Sequence, residues 1–202
     1  MTNLAAVAAA RSLGAVVRAF DTRPAVREQV ESLGGQFVEF TFNESGEGEG
    51  GYAKQMSEAY LAAEQALIAT HCATSDIVIT TALIPGRPAP KLISAAMVAS
   101  MRPGSVIVDL AVERGGNVEG AKPGEVAQVG SVKIVGHLNV AGRLPASASA
   151  LYAKNLLTFL DTMIDKKEKK LAVNWDDEIV KGTLLTRDGA IVHPNFKPKP
   201  AA

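Results

Sequence analysis

The sequence reads DIVIT at residues 76–80 and SVIVD at residues 105–109, with an almost unbroken β-branched apolar run inside each segment. Continuous runs of this kind are typical of strands in a sheet that is covered on both faces. Similar short runs occur at residues 15–20 and 132–135, and helical patterns or loops separate the four runs. Strands that alternate with helices at this spacing form βαβ units. The sequence therefore predicts an α/β fold built on a parallel sheet.

The segments between these runs predict the helices. Gly14 ends an alanine-rich helix over residues 4–13, because a residue without a Cβ suits the left-handed turn after a helix. Further helices are predicted over residues 24–33, 53–70 and 94–101, and another short strand is predicted over residues 36–40. Residues 43–51 contain four glycines and three carboxylates, and this composition predicts a mobile loop.

The character of the sequence changes after about residue 140. Residues 145–164 have the pattern of a long amphipathic helix. Residues 171–175 and 183–193 predict antiparallel strands around the turn Arg187-Asp188-Gly189, and residues 195–202 predict a disordered tail. The three consecutive carboxylates at residues 176–178 are expected to face water in this hairpin rather than to form a catalytic cluster.

Composition excludes several classes of protein. The 202 residues carry 21 basic and 21 acidic side chains, so the chain has no net field that would attract nucleic acid or an anionic membrane. No apolar run approaches the roughly 18 residues that span a bilayer, which predicts a soluble chain. The single cysteine cannot form an internal disulfide, and the three dispersed histidines have no metal-ligand spacing.

Polar residues follow the predicted strands at the end where ligands bind. In parallel α/β sheets this is the carboxyl end, which here carries Asp21, residues 81–83 and residues 109–113. A carboxylate at the position of Asp21 accepts hydrogen bonds from the adenosine ribose in dinucleotide-binding folds, and its charge disfavours the 2′-phosphate of NADP. Arg23 has two possible roles, since a nearby arginine can accept a 2′-phosphate or pack over the adenine.

The glycine-rich phosphate loop that should precede the first helix is not in the sequence. In the usual Rossmann strand order 3-2-1-4-5-6, the strand before this loop is central, so its loss unpairs the facing edges of two neighbours. We therefore interpret the chain as a fragment or truncated product with a Rossmann-like parallel sheet, helices on both faces and no first strand.

Several longer motifs support a family resemblance. They are GAVVRAFDTR (14–23), EQVESLGG (28–35), GGYAK (50–54), TTALIPG (80–86), GSVIVDLA (104–111) and GGN (115–117). In this order they resemble the NAD(H)-binding domain of proton-translocating nicotinamide nucleotide transhydrogenases, alpha-subunit type. The resemblance extends over residues 4–194.

The resemblance implies direct hydride transfer between NADH in this domain and NADP⁺ in a separate domain, coupled to proton passage through a membrane subunit. It implies a homodimer at the cytoplasmic face of the inner membrane. Such a reaction needs no general acid or base, so no catalytic side chain is expected here, and the protein's contribution is to position the nicotinamides and exclude water.

The resemblance also implies which residues contact NAD(H). Asp21, Thr22 and Arg23 match the ribose and adenosine contacts, and Gly51 and Tyr52 match a mobile loop that closes on the nucleotide. Glu64 aligns with a further contact position. Thr81, Ala82 and Leu83 form the segment that follows a strand, and within this segment Leu83 matches a nucleotide contact.

The resemblance divides the chain into an incomplete NAD-binding domain (residues 1–140), a helix and hairpin of a companion domain (residues 141–194), and the tail. Because the fingerprint glycines and the preceding domain are absent from the sequence, we expect weak or undetectable NADH binding by this chain alone. One alternative is an NAD oxidoreductase similar to alanine dehydrogenases, in which Glu113 would be the carboxylate that matters for amino-acid chemistry. Another is an inactive interaction module.

Overall fold

The computed structural model describes residues 4–40, 57–84 and 86–196. The chain divides into two compact units, Met1–Val140 and Ala141–Ala202. The predicted mobile loop over residues 43–51 and the last six residues of the predicted tail lie outside the described residues.

The first unit alternates helices and strands, as the sequence predicts. Its elements are α1 (Leu4–Ser12), β1 (Arg18–Ala19), α2 (Val26–Ser32), β2 (Gln36–Phe37), α3 (Glu58–Thr74), β3 (Ile77–Thr80), α4 (Ala95–Ser100), β4 (Val106–Asp109), β5 (Val126–Val129) and β6 (Val132–Val135). Ser57 and Ser94 accept hydrogen bonds from backbone N–H groups at the starts of α3 and α4, which satisfies donors that the helices leave unpaired.

The larger sheet has the strand order β3-β4-β6-β5. β3, β4 and β6 are parallel, so Ile79 lies opposite Val108 and Val108 opposite Val135. This confirms the predicted α/β fold. β5 is an antiparallel edge strand that the sequence did not predict, and it is joined to β6 by a two-residue turn in which Gly130 has a φ of 58°.

The remaining two strands of this unit form a separate sheet. β1 and β2 pair in parallel, and in the described part of the chain no strand joins them to β3. Both strands are shorter than predicted, because the regular ladder between them spans only two residue pairs.

The core of the first unit lies on one face of the larger sheet. Ile107 and Ile134 pack there with α4 residues such as Val98, and all three are fully buried. On the opposite face of β3, Ile77 is 65% exposed and Ile79 is 43% exposed. This face is therefore less covered than the apolar sequence of β3 predicts.

The second unit contains the predicted long helix and a different arrangement of short elements. They are α5 (Pro145–Asp161), β7 (Ile164–Asp165), β8 (Lys170–Leu171), α6 (Glu178–Thr183), β9 (Thr186–Arg187) and β10 (Ala190–Ile191). β9 and β10 confirm a hairpin at Asp188-Gly189.

The strand predicted over residues 171–175 is wrong beyond its first residue, because β8 ends at Leu171 and pairs with β7. The carboxylates at residues 176–178 do not lie in a hairpin. Asp177 caps α6 by accepting hydrogen bonds from the backbone of Ile179 and Val180, so a helix begins where the hairpin was predicted.

Within the described ranges, no helix combines the length and apolar character needed to span a membrane.

Candidate functional site

Asp21 and Arg23 form a close ion pair just after β1. The Arg23 guanidinium donates from Nε to Asp21 Oδ1 and from Nη2 to Oδ2, at 2.8 Å each. The backbone N–H of Arg23 also donates to Oδ1 at 3.0 Å. The side chains are 12% exposed at Asp21 and 20% exposed at Arg23. The predicted ribose ligand is therefore a half-buried carboxylate that is already bonded on both oxygens.

This hydrogen bonding holds the pKa of Arg23 above its ordinary value, although burial acts in the opposite direction. Arg23 stays cationic and offsets the charge of Asp21. A ribose hydroxyl that bonds to Asp21 must then share the carboxylate with the guanidinium. Thr22 lies between the two partners and is half-buried.

An aromatic cluster connects this pair to α3. The ring of Phe20, the residue before Asp21, contacts Phe40 edge-on at 6.1 Å, and Phe40 contacts Tyr60 of α3 at 4.9 Å between centroids. Glu64 lies one helical turn beyond Tyr60 on the same face of α3. The fold thus places Glu64 on the helix face that packs toward the end of β1.

Glu64 is a buried carboxyl group, 6% exposed, with no hydrogen bond or ion pair to any described residue. Burial in this setting raises its pKa, because the charged form loses hydration without gaining a partner.

The second group of predicted site residues follows β3. Thr81 and Ala82 are half-buried, and the Leu83 side chain is 52% exposed. We call residues 81–83 the β3 exit loop. Its backbone is held by Asn117, a fully buried residue from the loop after β4, which bonds to both the N–H and the carbonyl of Ala82.

The loop after β4 is organised around the buried carboxylate of Asp109. Oδ1 accepts from the N–H of Ala111 at 2.9 Å, and Oδ2 accepts from the N–H of Val118 at 3.0 Å. Gly116 passes so close that a Cβ there would lie 2.6 Å from Asp109 Oδ2. Asp109 is consequently a structural group that shapes the loop, with both oxygens bonded to backbone.

Two further polar groups lie at the carboxyl ends of β4 and β6. The exposed carboxylate of Glu113 accepts a hydrogen bond from the backbone N–H of Asn139, which links the two loops. The ring Nδ1 of His137 is buried and has no hydrogen-bond partner among the described residues. No group of three or more metal-ligating side chains occurs in the described part of the chain.

The structure places the predicted residues on three elements: Asp21, Thr22 and Arg23 follow β1, Glu64 lies on α3, and Thr81, Ala82 and Leu83 follow β3. Gly51 and Tyr52 lie outside the described residues. Sequence reasoning missed Asn117 and His137 as site groups. The GGN motif at residues 115–117 was a signal for Asn117, but its partner Ala82 is 35 residues away, which only the fold reveals.

Comparison with known proteins supports one family. Residues 1–194 match the family described as "Alanine dehydrogenase/PNT, C-terminal domain". A relative from Rhodospirillum rubrum, named as the first part of NAD(P) transhydrogenase subunit alpha, is 52% identical over 196 residues, which cover 96% of this chain and 51% of that protein. "NAD(P) transhydrogenase subunit alpha" of Haemophilus influenzae is 45% identical over 195 residues, which cover 96% of this chain and 38% of that protein. The chain thus spans about half the length of the first relative and 38% of the length of the second.

Solved structures agree. A transhydrogenase from Sinorhizobium meliloti is similar with a TM-score of 0.70 and 54% identity, over 96% of this chain and 47% of that one. An L-alanine dehydrogenase is similar with a TM-score of 0.64 and 30% identity, over 93% of this chain and 46% of that one. From its sequence match, its α/β fold and the likeness to these structures, the chain belongs to the alanine dehydrogenase/PNT C-terminal domain family.

Proposed function

We propose that this chain forms the NAD(H) site of a proton-translocating NAD(P) transhydrogenase. The protein passes hydride directly from NADH here to NADP⁺ held by a separate NADP-binding domain, and a membrane subunit couples this step to proton movement. We further propose that the chain works as a homodimer at the cytoplasmic face of the inner membrane. The names of the transhydrogenase relatives support the reaction, and the site geometry supports the nucleotide.

The Asp21–Arg23 pair carries the proposal. Its position just past β1 is where dinucleotide folds bind the adenosine ribose. The chemistry of the pair fits that role, because a carboxylate accepts hydroxyl hydrogen bonds and repels a 2′-phosphate. The buried Nδ1 of His137, which has no hydrogen-bond partner among the described residues, also fits a polar ligand at the strand ends of the first unit.

The residues of this chain bind and orient the cofactor; none of them transfers a proton. NAD(H) supplies the hydride chemistry when it is bound. Asp21 and Arg23 would hold the adenosine end, and the exposed Leu83 side chain would pack against the nucleotide. Gly51 and Tyr52 are proposed to belong to a lid that excludes water.

The experiment is a titration of the full chain with NADH and with NADPH, followed by NMR, which reports binding in the millimolar range. We expect shifts at Asp21 and Leu83 with NADH and weaker effects with NADPH. Asp21→Asn should weaken NADH binding by roughly tenfold or more, the loss of a charge-assisted hydrogen bond. Asp76→Asn is the matched control, since Asp76 forms an exposed 3.2 Å ion pair with Arg102 before β3 begins. Equal binding by wild type and Asp21→Asn would contradict the proposed site.

The hydride step is tested by adding a recombinant NADP-binding domain and measuring NADPH-dependent reduction of an NAD analogue. An alanine-dehydrogenase-like activity is the alternative that the 30% identical structure favours, with Glu113 as the carboxylate to test. Alanine-dependent reduction of NAD that is lost in Glu113→Gln would establish the alternative instead.

A further inference from the structure

Both polar atoms of the Asn117 side-chain amide form hydrogen bonds to the backbone between Ala82 and Pro90. Its Oδ1 accepts from the Ala82 N–H at 3.0 Å, and its Nδ2 donates to the Ala82 carbonyl at 2.9 Å. The same Nδ2 donates to the Pro90 carbonyl at 2.8 Å. Two carbonyl partners on one side and an N–H on the other fix the orientation of the amide.

The backbone at Asn117 is also fixed by hydrogen bonds. Its carbonyl accepts from the N–H groups of Leu92 at 2.8 Å and Ile93 at 3.0 Å. The N–H of the next residue, Val118, donates to Asp109. Because the peptide group that follows Asn117 is bonded at both its carbonyl and its N–H, and the side chain is fully buried, Asn117 links the position of the β3 exit loop to that of the β4 loop.

This arrangement affects what Ala82 and Leu83 can offer a nucleotide. The N–H and the carbonyl of Ala82 are both occupied by Asn117. The next side chain, Leu83, is 52% exposed and follows directly from this anchor. The β3 exit loop therefore exposes the apolar side chain of Leu83, and the Asn117 amide fixes the backbone of the residue before it.

We propose that Asn117 is a positioning residue for the NAD(H) site: by occupying both backbone groups of Ala82, it holds the Leu83 side chain where it packs against the cofactor. This inference rests on the proposed function. Asn117 itself does not contact the nucleotide, and the Ala82 N–H, which donates to Asn117, is not offered to it.

The test is a double-mutant cycle in the full chain, with the dissociation constant for NADH measured by NMR titration. Asn117→Ala and Leu83→Ala should each weaken binding by roughly tenfold, and the double variant should be no weaker than the weaker single variant, since both remove the same contact. Multiplying losses would mean that Asn117 acts independently of Leu83, which would overturn the inference.

A control separates positioning from general stability. Val98 is fully buried in the core on α4, and Val98→Ala lowers stability without touching the β3 exit loop. We expect its NADH affinity to stay within about twofold of wild type, a change too small for a lost contact. If Val98→Ala weakens NADH as much as Asn117→Ala at an equal loss of thermal stability, Asn117 is merely structural. If Asn117→Ala does not fold, Asn117→Asp keeps the volume and the acceptor but sets an oxygen against two carbonyls, and it replaces Asn117→Ala in the cycle.

Amide hydrogen exchange on the wild type needs no variant. The Ala82 N–H should be protected without NADH and unchanged by it, while the Leu83 methyl resonances should shift on NADH addition. An unprotected Ala82 amide, or equal NADH affinity in wild type and Asn117→Ala, would overturn the inference and leave the proposed function standing. A wild type whose Asp21 and Leu83 resonances do not shift even at millimolar NADH would overturn both.

Discussion

Gly116 and Gly14 both adopt left-handed backbone conformations, with φ values of 76° and 85°, but their surroundings differ. A Cβ at Gly116 would lie 2.6 Å from Asp109 Oδ2, whereas nothing lies within 4 Å of a Cβ at Gly14. Gly116→Ala should cost about 3 kcal/mol or more of unfolding free energy, from backbone strain plus overpacking. Gly14→Ala should cost about 1–2 kcal/mol, from backbone strain alone. Urea denaturation of the two variants checks this difference, and equal losses would contradict it.

Glu64 gives the unfolding free energy a specific pH dependence. Burial raises its pKa in the folded state, so its contribution is fully present below the unfolded pKa and is lost as pH rises through the folded pKa. Glu64→Gln should remove this decrease in unfolding free energy with rising pH, and it should make the protein more stable than wild type at neutral pH. Denaturation midpoints from acid to neutral pH test this, with Glu31→Gln on the exposed side of α2 as the control. A fall of the same size in Glu64→Gln would show that another group causes it.

Asp21 shows the limit of reasoning from single residues. A carboxylate after the first short strand can be recognised in the sequence, and the sequence allows two alternative roles for its neighbour Arg23. The structure adds a third role, since Arg23 binds both oxygens of Asp21. Side-chain pairing depends on the turn geometry at residues 21–23, and the order of residues does not specify that geometry.

At the scale of elements, the start of α6 offers a matched pair of carboxylates. Asp177 accepts from the N–H groups of Ile179 at 2.9 Å and Val180 at 3.1 Å, whereas Asp176 makes an exposed ion pair with Lys181. Asp177→Ala should destabilise the second unit by about 1 kcal/mol, the usual value of an N-cap. Asp176→Ala should change it by less than about 0.5 kcal/mol, as for most surface pairs. Hydrogen exchange at Val180 and Lys181 distinguishes them, and equal effects would contradict the capping role.

Elements with strong local signals are predicted well from the sequence, and those that depend on distant partners are not. α1, α4 and α5 follow from apolar spacing and end signals, and β3, β4 and β6 from β-branched runs. β5 escapes prediction because residues 126–129 form a strand only beside β6. α6 escapes it because the strand signals on either side of residues 176–182 obscure the capping signal of Asp177. Strand pairing takes its free energy from hydrogen bonds to another segment, so local sequence carries little information about it.

At the scale of the whole molecule, the residues of the main core cluster all come from the first unit, between Cys72 and Ile134. A chain ending at Val140 should therefore keep the hydrogen-exchange protection of Ile107 and Ile134. Exchange measured on the shortened and full chains checks this expectation. Loss of protection at both residues would show that residues 141–202 are required for the core. Ile134→Ala in the full chain is the control. It truncates a fully buried side chain, so it shows how much hydrogen-exchange protection a damaged core loses.

The sequence by itself determined the fold class, the order of most helices and strands, and the family. These features follow from hydrophobic periodicity and from motifs that are contiguous in the chain. Only the tertiary structure decided that Arg23 occupies both oxygens of Asp21, that Glu64 is buried without a described partner, and that Asn117 holds Ala82. Each of these depends on contact geometry, and Asn117 meets Ala82 across 35 residues of chain. Hydrogen bonds and burial act over a few ångströms, so packing alone determines which side chains come within reach.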